Sequence, residues 1–315
     1  MEFETEIVVL GAGVAGLTSA VALLEAGFEV SVRADRVAPD ITSSVAAGLW
    51  YPYAVSGRRV PDLAIRTLRR YHLLHHDPAT GVRLRPCRSI VPLGSGTPFW
   101  AGEDVGYAPA ETGSGFQATL PVADSTLFLG WLVGRIRELG GNLQVDPKPV
   151  ERISSIDAAT VVNCTGLGAR QLCTDNRMHP IKGTVVLVEN PGIDYCLTDD
   201  ADPSLPTYFI PLSVGLILGG TAEVGNWDTD VDPDQQADII SRCARHEPNL
   251  LDARIIAAKA GLRPGRDEIR LEREVSTTGQ TIVHNYGHGG SGYTLAWGCA
   301  EEVVRMVGGR SGGLV

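Results

Sequence analysis

The stretch that decides the fold is Glu6–Arg36, EIVVLGAGVAGLTSAVALLEAGFEVSVRADR. Glu6–Leu10 is a short β-branched run, the pattern of a buried strand. Gly11-Ala-Gly13-Val-Ala-Gly16 follows and opens a helical pattern over Val14–Ala26, which Gly27 ends before a second strand at Phe28–Val32. A chain with 37 glycines can contain this motif by chance, so its place between a strand and a helix carries the specificity. Gly11 permits the tight turn, Gly13 lets backbone N–H groups approach a pyrophosphate, and Gly16 allows helix and strand to pack closely. The pyrophosphate then sits at the positive end of the helix dipole. Asp35, ending the second strand, is placed to accept hydrogen bonds from ribose hydroxyls, and its charge disfavours a 2′-phosphate. Arg36 reads as a contact to the adenine side or as half of a surface ion pair. This βαβ unit binds the ADP part of a dinucleotide.

Outward from it, Pro61–Leu74 has helical periodicity and Val82–Leu120 reads as antiparallel strands between Gly, Pro and Ser clusters. His72, His75 and His76 share a helix face, but no fourth ligand is visible and a solvated helix end is the commoner meaning. Asp124 is an N-cap candidate for a helix reaching Leu139, followed by a strand at Leu143–Val145. Thr160–Val162, Thr184–Val188, Thr207–Pro211, Gly215–Leu218 and Thr281–His284 read as strands, Asp234–Ala244 and Leu295–Met306 as helices. Parallel βα units at the beginning, middle and end, separated by antiparallel blocks, imply an α/β fold: a Rossmann-like domain with an inserted, mainly antiparallel sheet domain. The expected division is 1–57, 124–178 and 258–315 for the first, 58–123 and 179–257 for the second.

The 315 residues are 43% hydrophobic and 20% charged, enough for a sizeable core. A net charge of −10 argues against a nucleic-acid partner. The six cysteines form no CxxC pair, which suggests reduced thiols and a cytoplasmic protein. An acidic start argues against a signal peptide, no apolar run nears the ~20 residues a membrane span needs, and the final Gly-Gly-Leu-Val is not a peroxisomal signal.

A second glycine-rich element, Gly287-His-Gly289-Gly290-Ser-Gly292-Tyr-Thr, lies between a strand and a helix. Four glycines in six positions exceed what a turn needs and suggest backbone packed on a ligand. Two such loops favour a flavin, which needs anchoring at both its adenine and isoalloxazine ends.

With these residues in view, the chain resembles the D-amino-acid oxidases, FAD-dependent amine-oxidising flavoproteins, nearly end to end. The likeness rests on Gly11–Leu17, Ala34-Asp-Arg36, Val45-Ala-Ala-Gly-Leu-Trp50, Asn163-Cys-Thr-Gly166, Tyr208-Phe-Ile-Pro211, Gly225-Asn-Trp227, Gly261-Leu-Arg-Pro264, Ile269–Glu274 and His284-Asn-Tyr-Gly-His-Gly-Gly290. The resemblance implies FAD contacts from Ala12, Val14, Asp35, Arg36, Thr42, Ser43 and Ala47-Gly48-Leu49. It also implies them from Val150, Thr165, Gly289, Ser291, Gly292, Tyr293 and Thr294. It places the substrate α-carboxylate on Arg263 and Tyr208, and the substrate amine on the Gly290 carbonyl. A planar guanidinium fork suits a carboxylate, but Arg266 and Arg270 compete for that role on residue type alone. The resemblance selects Arg263 and gives Arg270 a place near the flavin.

The implied reaction is hydride transfer from Cα of a neutral D-amino acid to flavin N5, with oxygen reduced to hydrogen peroxide and the imino acid hydrolysed to a 2-oxo acid and ammonia. No general base is needed if the amine enters neutral, so His284 and His288 read as structural. Where many animal relatives carry a lid tyrosine this chain has Ser204, which predicts a more open entrance and faster product exchange. Tyr51 stands where some relatives have Gln. A D-aspartate oxidase would need a second cation, and none is evident beside Tyr208. A glycine or sarcosine oxidase, an NAD-dependent dehydrogenase and a non-catalytic nucleotide-binding module are the other readings. No membrane or metal is expected, and a homodimer stays open.

Overall fold

The computed structural model describes residues 6–53, 55–111, 113–202 and 204–309. Numbered along the chain, β1 (Ile7–Leu10), β2 (Val30–Ala34), β6 (Asn142–Val145), β7 (Thr160–Asn163), β14 (Arg270–Val275) and β15 (Thr281–Tyr286) form one sheet, ordered β14-β15-β7-β1-β2-β6. All its pairings are parallel except β14 with β15. All four β1 residues are buried, as a central parallel strand covered on both faces requires. The helices are α1 (Val14–Glu25), α2 (Val60–Leu74), α3 (Ser125–Glu138), α4 (Ala169–Leu172), α5 (Pro233–Ala244) and α6 (Gly292–Val307). Helix α1 packs against α6 and α3 and buries Leu17, Ala20, Val21 and Leu23.

The second sheet has nine strands: β3 (Val82–Ile90), β4 (Ala108–Pro109), β5 (Gly115–Ala123), β8 (His179–Val188), β9 (Cys196–Asp199), β10 (Thr207–Leu212), β11 (Gly215–Gly219), β12 (Glu223–Val224) and β13 (Ile255–Gly265). It is antiparallel apart from β3 with β9. One large core runs through both sheets, from Val9 and Val32 to Leu120, Ile210 and Ile217. A second core lies under α5 and includes Val186, Phe209, Leu218 and Ile239. Asp124 ties the units together: one carboxylate oxygen caps α3 through Thr126 N (3.0 Å), the other accepts from Ser213 N (2.7 Å).

Three expectations shift. The second strand begins at Val30 rather than Phe28, because the amides of Gly27 and Phe28 close α1 by donating to Leu24 and Leu23 (3.0 and 3.1 Å). Helix α6 starts at Gly292, three residues before Leu295, so the glycine-rich loop feeds directly into its first turn. The expected division put residues from 258 onward with the Rossmann-like unit. Instead β13 pairs with β8 from Ile255 to Gly265, so the Arg263 segment belongs to the nine-stranded sheet. That strand, IIAAKAGLRPG, is poor in β-formers, and its long partner rather than its own propensity makes it a strand.

Candidate active site

Between the sheets lies a cavity of about 1600 Å³. Its lining joins Gly11, Asp35 and Val150 at one end with Tyr208, Arg263 and Gly290 at the other. A pocket for one small ligand is typically ~300–1,000 Å³, so the volume suits a dinucleotide together with a second molecule.

At the α1 end the walls are backbone. Gly11 has φ +102°, and a Cβ there would lie 2.5 Å from the Cys164 carbonyl oxygen. A Cβ on Gly16 would lie 1.9 Å from the Gly11 carbonyl oxygen. Only glycine lets turn, helix and β7 come this close. Gly13, Val14 and Ala15 then present the first turn of α1 to the cavity, where an α-helix has N–H groups it cannot pair internally. Ser43 Oγ accepts from Val14 N at 3.0 Å and fixes the facing 3-10 turn of Thr42–Ser44. Asp35 and Arg36 pair with each other at 3.0 Å and are largely exposed. Both line the cavity, so the two readings of Arg36 are compatible. This cradle fits the pyrophosphate and ribose of FAD.

Ala12, Thr42, Ala47, Gly48, Leu49, Thr165, Gly289, Gly292 and Tyr293 also line the cavity. Three expected cofactor contacts do not. Gly16 sits behind the turn. Ser291 Oγ donates to the Tyr53 carbonyl (2.6 Å) and accepts from its N–H (3.2 Å). Thr294 Oγ1 does the same for Tyr51, at 2.8 and 3.1 Å. These hydroxyls are committed to the 51–53 backbone, so they position the aromatic wall.

At the other end the walls are side chains. Arg263, half-buried on β13, donates from Nη1 to the Thr221 carbonyl (2.9 Å). Among the described residues no carboxylate lies within ion-pair distance of it. Its rivals are committed elsewhere. Arg266 pairs with Asp175 at 2.9 Å, both side chains 6% exposed or less, and Arg270 binds Glu272, Glu274 and Tyr286 Oη outside the cavity lining. Arg270 therefore braces β14 against Tyr286 and only that tyrosine reaches the cavity. Tyr208 stands beside Arg263: burial raises its phenol, and the guanidinium charge partly offsets that. The His288 imidazole is buried and held neutral, its value pushed down to about 4 by burial, with Nε2 3.1 Å from Asn285 Oδ1.

The sequence reading missed what lies beneath these side chains. A Cβ on Gly183 would sit 2.3 Å from the Arg263 guanidinium, and one on Gly219 2.0 Å from the Tyr208 ring. Both side chains lie flat on glycine floors of the sheet. It also missed Tyr53, packed on Gly290, and Asp200, which accepts from Tyr51 Oη at 3.1 Å. Tyr53 had a local signal, since it closes the Val45–Trp50 region; Asp200 and the two glycines had none.

A family described as FAD dependent oxidoreductase matches residues 6–105 and 116–306. The chain belongs to this FAD dependent oxidoreductase family. Within it, the chain is 42% identical to a D-amino-acid oxidase of Rubrobacter xylanophilus, covering 96% of this chain and 95% of that one. It is 43% identical to a D-amino-acid oxidase of Streptomyces coelicolor over 97% of each. A glycine oxidase structure from Geobacillus kaustophilus superposes with a TM-score of 0.81 at 19% identity, over 99% of this chain and 97% of that one, a likeness of fold. The family's FAD is the dinucleotide that the cradle at α1 fits. Among the described residues, no helix is long and apolar enough to cross a membrane.

Proposed function

We propose that the chain oxidises D-amino acids with FAD and oxygen to 2-oxo acids, ammonia and hydrogen peroxide. The observation that carries this is Arg263: a half-buried guanidinium in the cavity, seated on Gly183, with no acidic partner among the described residues. An α-carboxylate supplies that partner, and charge-assisted hydrogen bonds in a desolvated site hold it strongly. The Tyr208 phenol donates a further hydrogen bond to the carboxylate. The Gly290 carbonyl, at the lip formed by the glycine-rich loop, accepts from the substrate amine. FAD held by the cradle of Gly11, Gly13 and Asp35 and by the Gly289 loop would supply the hydride acceptor for Cα and the route for the electrons to oxygen. The chain's own contribution is placement, with carboxylate, amine and side chain each fixed so that one enantiomer points its Cα–H toward the cofactor end. Neutral His288 carries no charge that would compete for the carboxylate. The six-stranded unit holds the cofactor and, through Gly290, the amine, while the nine-stranded sheet supplies Tyr208 and, from β13, Arg263 for the carboxylate.

Holoenzyme incubated with D-alanine, L-alanine, glycine and sarcosine, with peroxide and ammonia measured, tests the reading. Peroxide from D-alanine, with little from the other three, is expected. Faster turnover of glycine or sarcosine than of D-alanine would replace it with the glycine or sarcosine oxidase reading.

A further inference from the structure

One carboxylate in the same cavity has no part in the proposed holding of the α-carboxylate or the amine. Asp200 follows β9 and lines the same wall as Thr198, Tyr208 and Arg263. Its neighbour Asp199 is occupied, taking His246 Nε2 and Ala201 N, each at 3.1 Å. Asp200 itself accepts the Tyr51 hydroxyl at 3.1 Å. Among the described residues no Lys, Arg or His lies within ion-pair distance of it. A carboxylate offers about four acceptor sites, so one phenol leaves most of its capacity turned to the cavity.

Its surroundings are arranged to keep it there. The Tyr51 backbone is clamped by Thr294 and stacks its ring on Phe116 at 6.5 Å. Thr198 Oγ1 is tied to Ser89 at 2.8 Å, fixing the strand end from which Asp200 projects. Tyr53 lines the same cavity: burial raises its phenol first, the Asp200 charge adds to that, and the Arg263 charge offsets part of it. Asp200 and Arg263 thus place a negative and a positive group on the lining of one cavity.

We propose that Asp200, held by Tyr51, sets the side-chain selectivity of this pocket, favouring D-amino acids with a cationic side chain and rejecting acidic ones. This rests on the D-amino-acid oxidation reading and extends the expected substrates from neutral to basic side chains. A substrate whose α-carboxylate is on Arg263 brings its side chain under the influence of Asp200. A guanidinium or ammonium there gains a charge-assisted hydrogen bond and neutralises a partly buried carboxylate. A second carboxylate meets like charge in a poorly solvated space.

The test uses isosteric pairs on the holoenzyme, D-arginine against D-citrulline and D-glutamate against D-glutamine, with D-alanine as control. Peroxide release gives kcat and KM for wild type and Asp200→Asn. D-arginine should be favoured over D-citrulline by about tenfold or more in kcat/KM, the worth of one hydrogen bond to a charged group. The difference should lie in KM, because Asp200 does not touch the reacting carbon. D-glutamine should be favoured over D-glutamate. In Asp200→Asn both ratios should collapse toward one. Unchanged ratios in that variant overturn the proposal, as does an equal loss for both members of each pair, which would mark a structural role or a contact to the α-amine. If Asp200→Asn yields no soluble holoenzyme, the wild-type pairs still decide: D-arginine no better than D-citrulline overturns it. Loss of peroxide with D-alanine as well would sink the oxidation reading itself, whereas D-alanine turnover without charge selection sinks only this one.

Discussion

At the α1 end of the cavity, ligand space is made by removing side chains; at the β13 end it is made by bringing them together. Gly11 and Gly16 let two backbones approach within distances that any Cβ would block. Arg263, Tyr208, Tyr51, Tyr53 and Asp200 come instead from β13, β10, the 49–53 segment and the end of β9, which are spread along the chain from Tyr51 to Arg263. Glycines serve both ends, in different ways. In the cradle they face backbone, which cannot yield; beneath Arg263 and Tyr208 they face side chains, which can. Substitutions at the first end should therefore cost the cofactor or the fold, and substitutions at the second should cost the substrate.

The sharpest way to break this contrast is Gly16→Val. Its Cβ would lie 1.9 Å from the Gly11 carbonyl oxygen, so α1 or the turn must move. Purified protein should lack flavin absorbance or fail to accumulate in soluble form. A yellow variant with wild-type Tm would show that the cradle tolerates what its geometry forbids. Next, Arg263→Ala should keep its flavin and lose about a hundredfold to a thousandfold in kcat/KM for D-alanine, since truncating one side of a desolvated charge pair costs ~2–5 kcal/mol. Steady-state kinetics on the flavin-loaded variant check this.

His288 stands where the two regions meet, on the glycine-rich loop and in the cavity lining. Burial depresses its folded-state value from 6.5 to about 4, so between these pH values the unfolded chain binds a proton that the folded chain refuses. Its contribution to stability is whole above pH 6.5 and is lost as pH falls toward 4. That amounts to at most about 3 kcal/mol. Urea midpoints across this range should fall less steeply for His288→Gln than for wild type.

Gly183→Ala probes the softer floor. The guanidinium 2.3 Å from the new Cβ is the end of a flexible side chain, so it shifts and the fold survives. KM for D-alanine should rise by about tenfold, the scale of a disturbed charge-assisted hydrogen bond, with flavin content intact. A rise in flavin loss instead would erase the contrast between the two floors. The smallest effect is expected for Tyr208→Phe, which removes one hydroxyl and should cost roughly threefold to tenfold in kcat/KM.

The cradle was legible because its physics is local. A strand, a turn needing φ > 0 and a helix dipole all lie within Ile7–Ala34, and each leaves a residue-type mark. The substrate end was legible only through the strings shared with a family. Reading residue types left Arg263, Arg266 and Arg270 as equals. Arg266 pairs with the remote Asp175, which no spacing announces, and Arg270 with Glu272 and Glu274 two and four residues on along β14, so both have partners that Arg263 lacks among the described residues. The hydroxyls of Ser291 and Thr294 likewise have partners that only the tertiary structure supplies, the backbone of Tyr53 and Tyr51.

By itself, then, the sequence determined the βαβ unit, its dinucleotide and the two-sheet layout, because hydrophobic period and glycine placement act over a few residues. Tertiary structure alone decided that β13 crosses to the second sheet, that Gly183 and Gly219 lie under the Arg263 and Tyr208 side chains, and that Asp200 lines the same cavity as Arg263. Those outcomes depend on which distant strands pair and in what register, and a register is a property of two strands together.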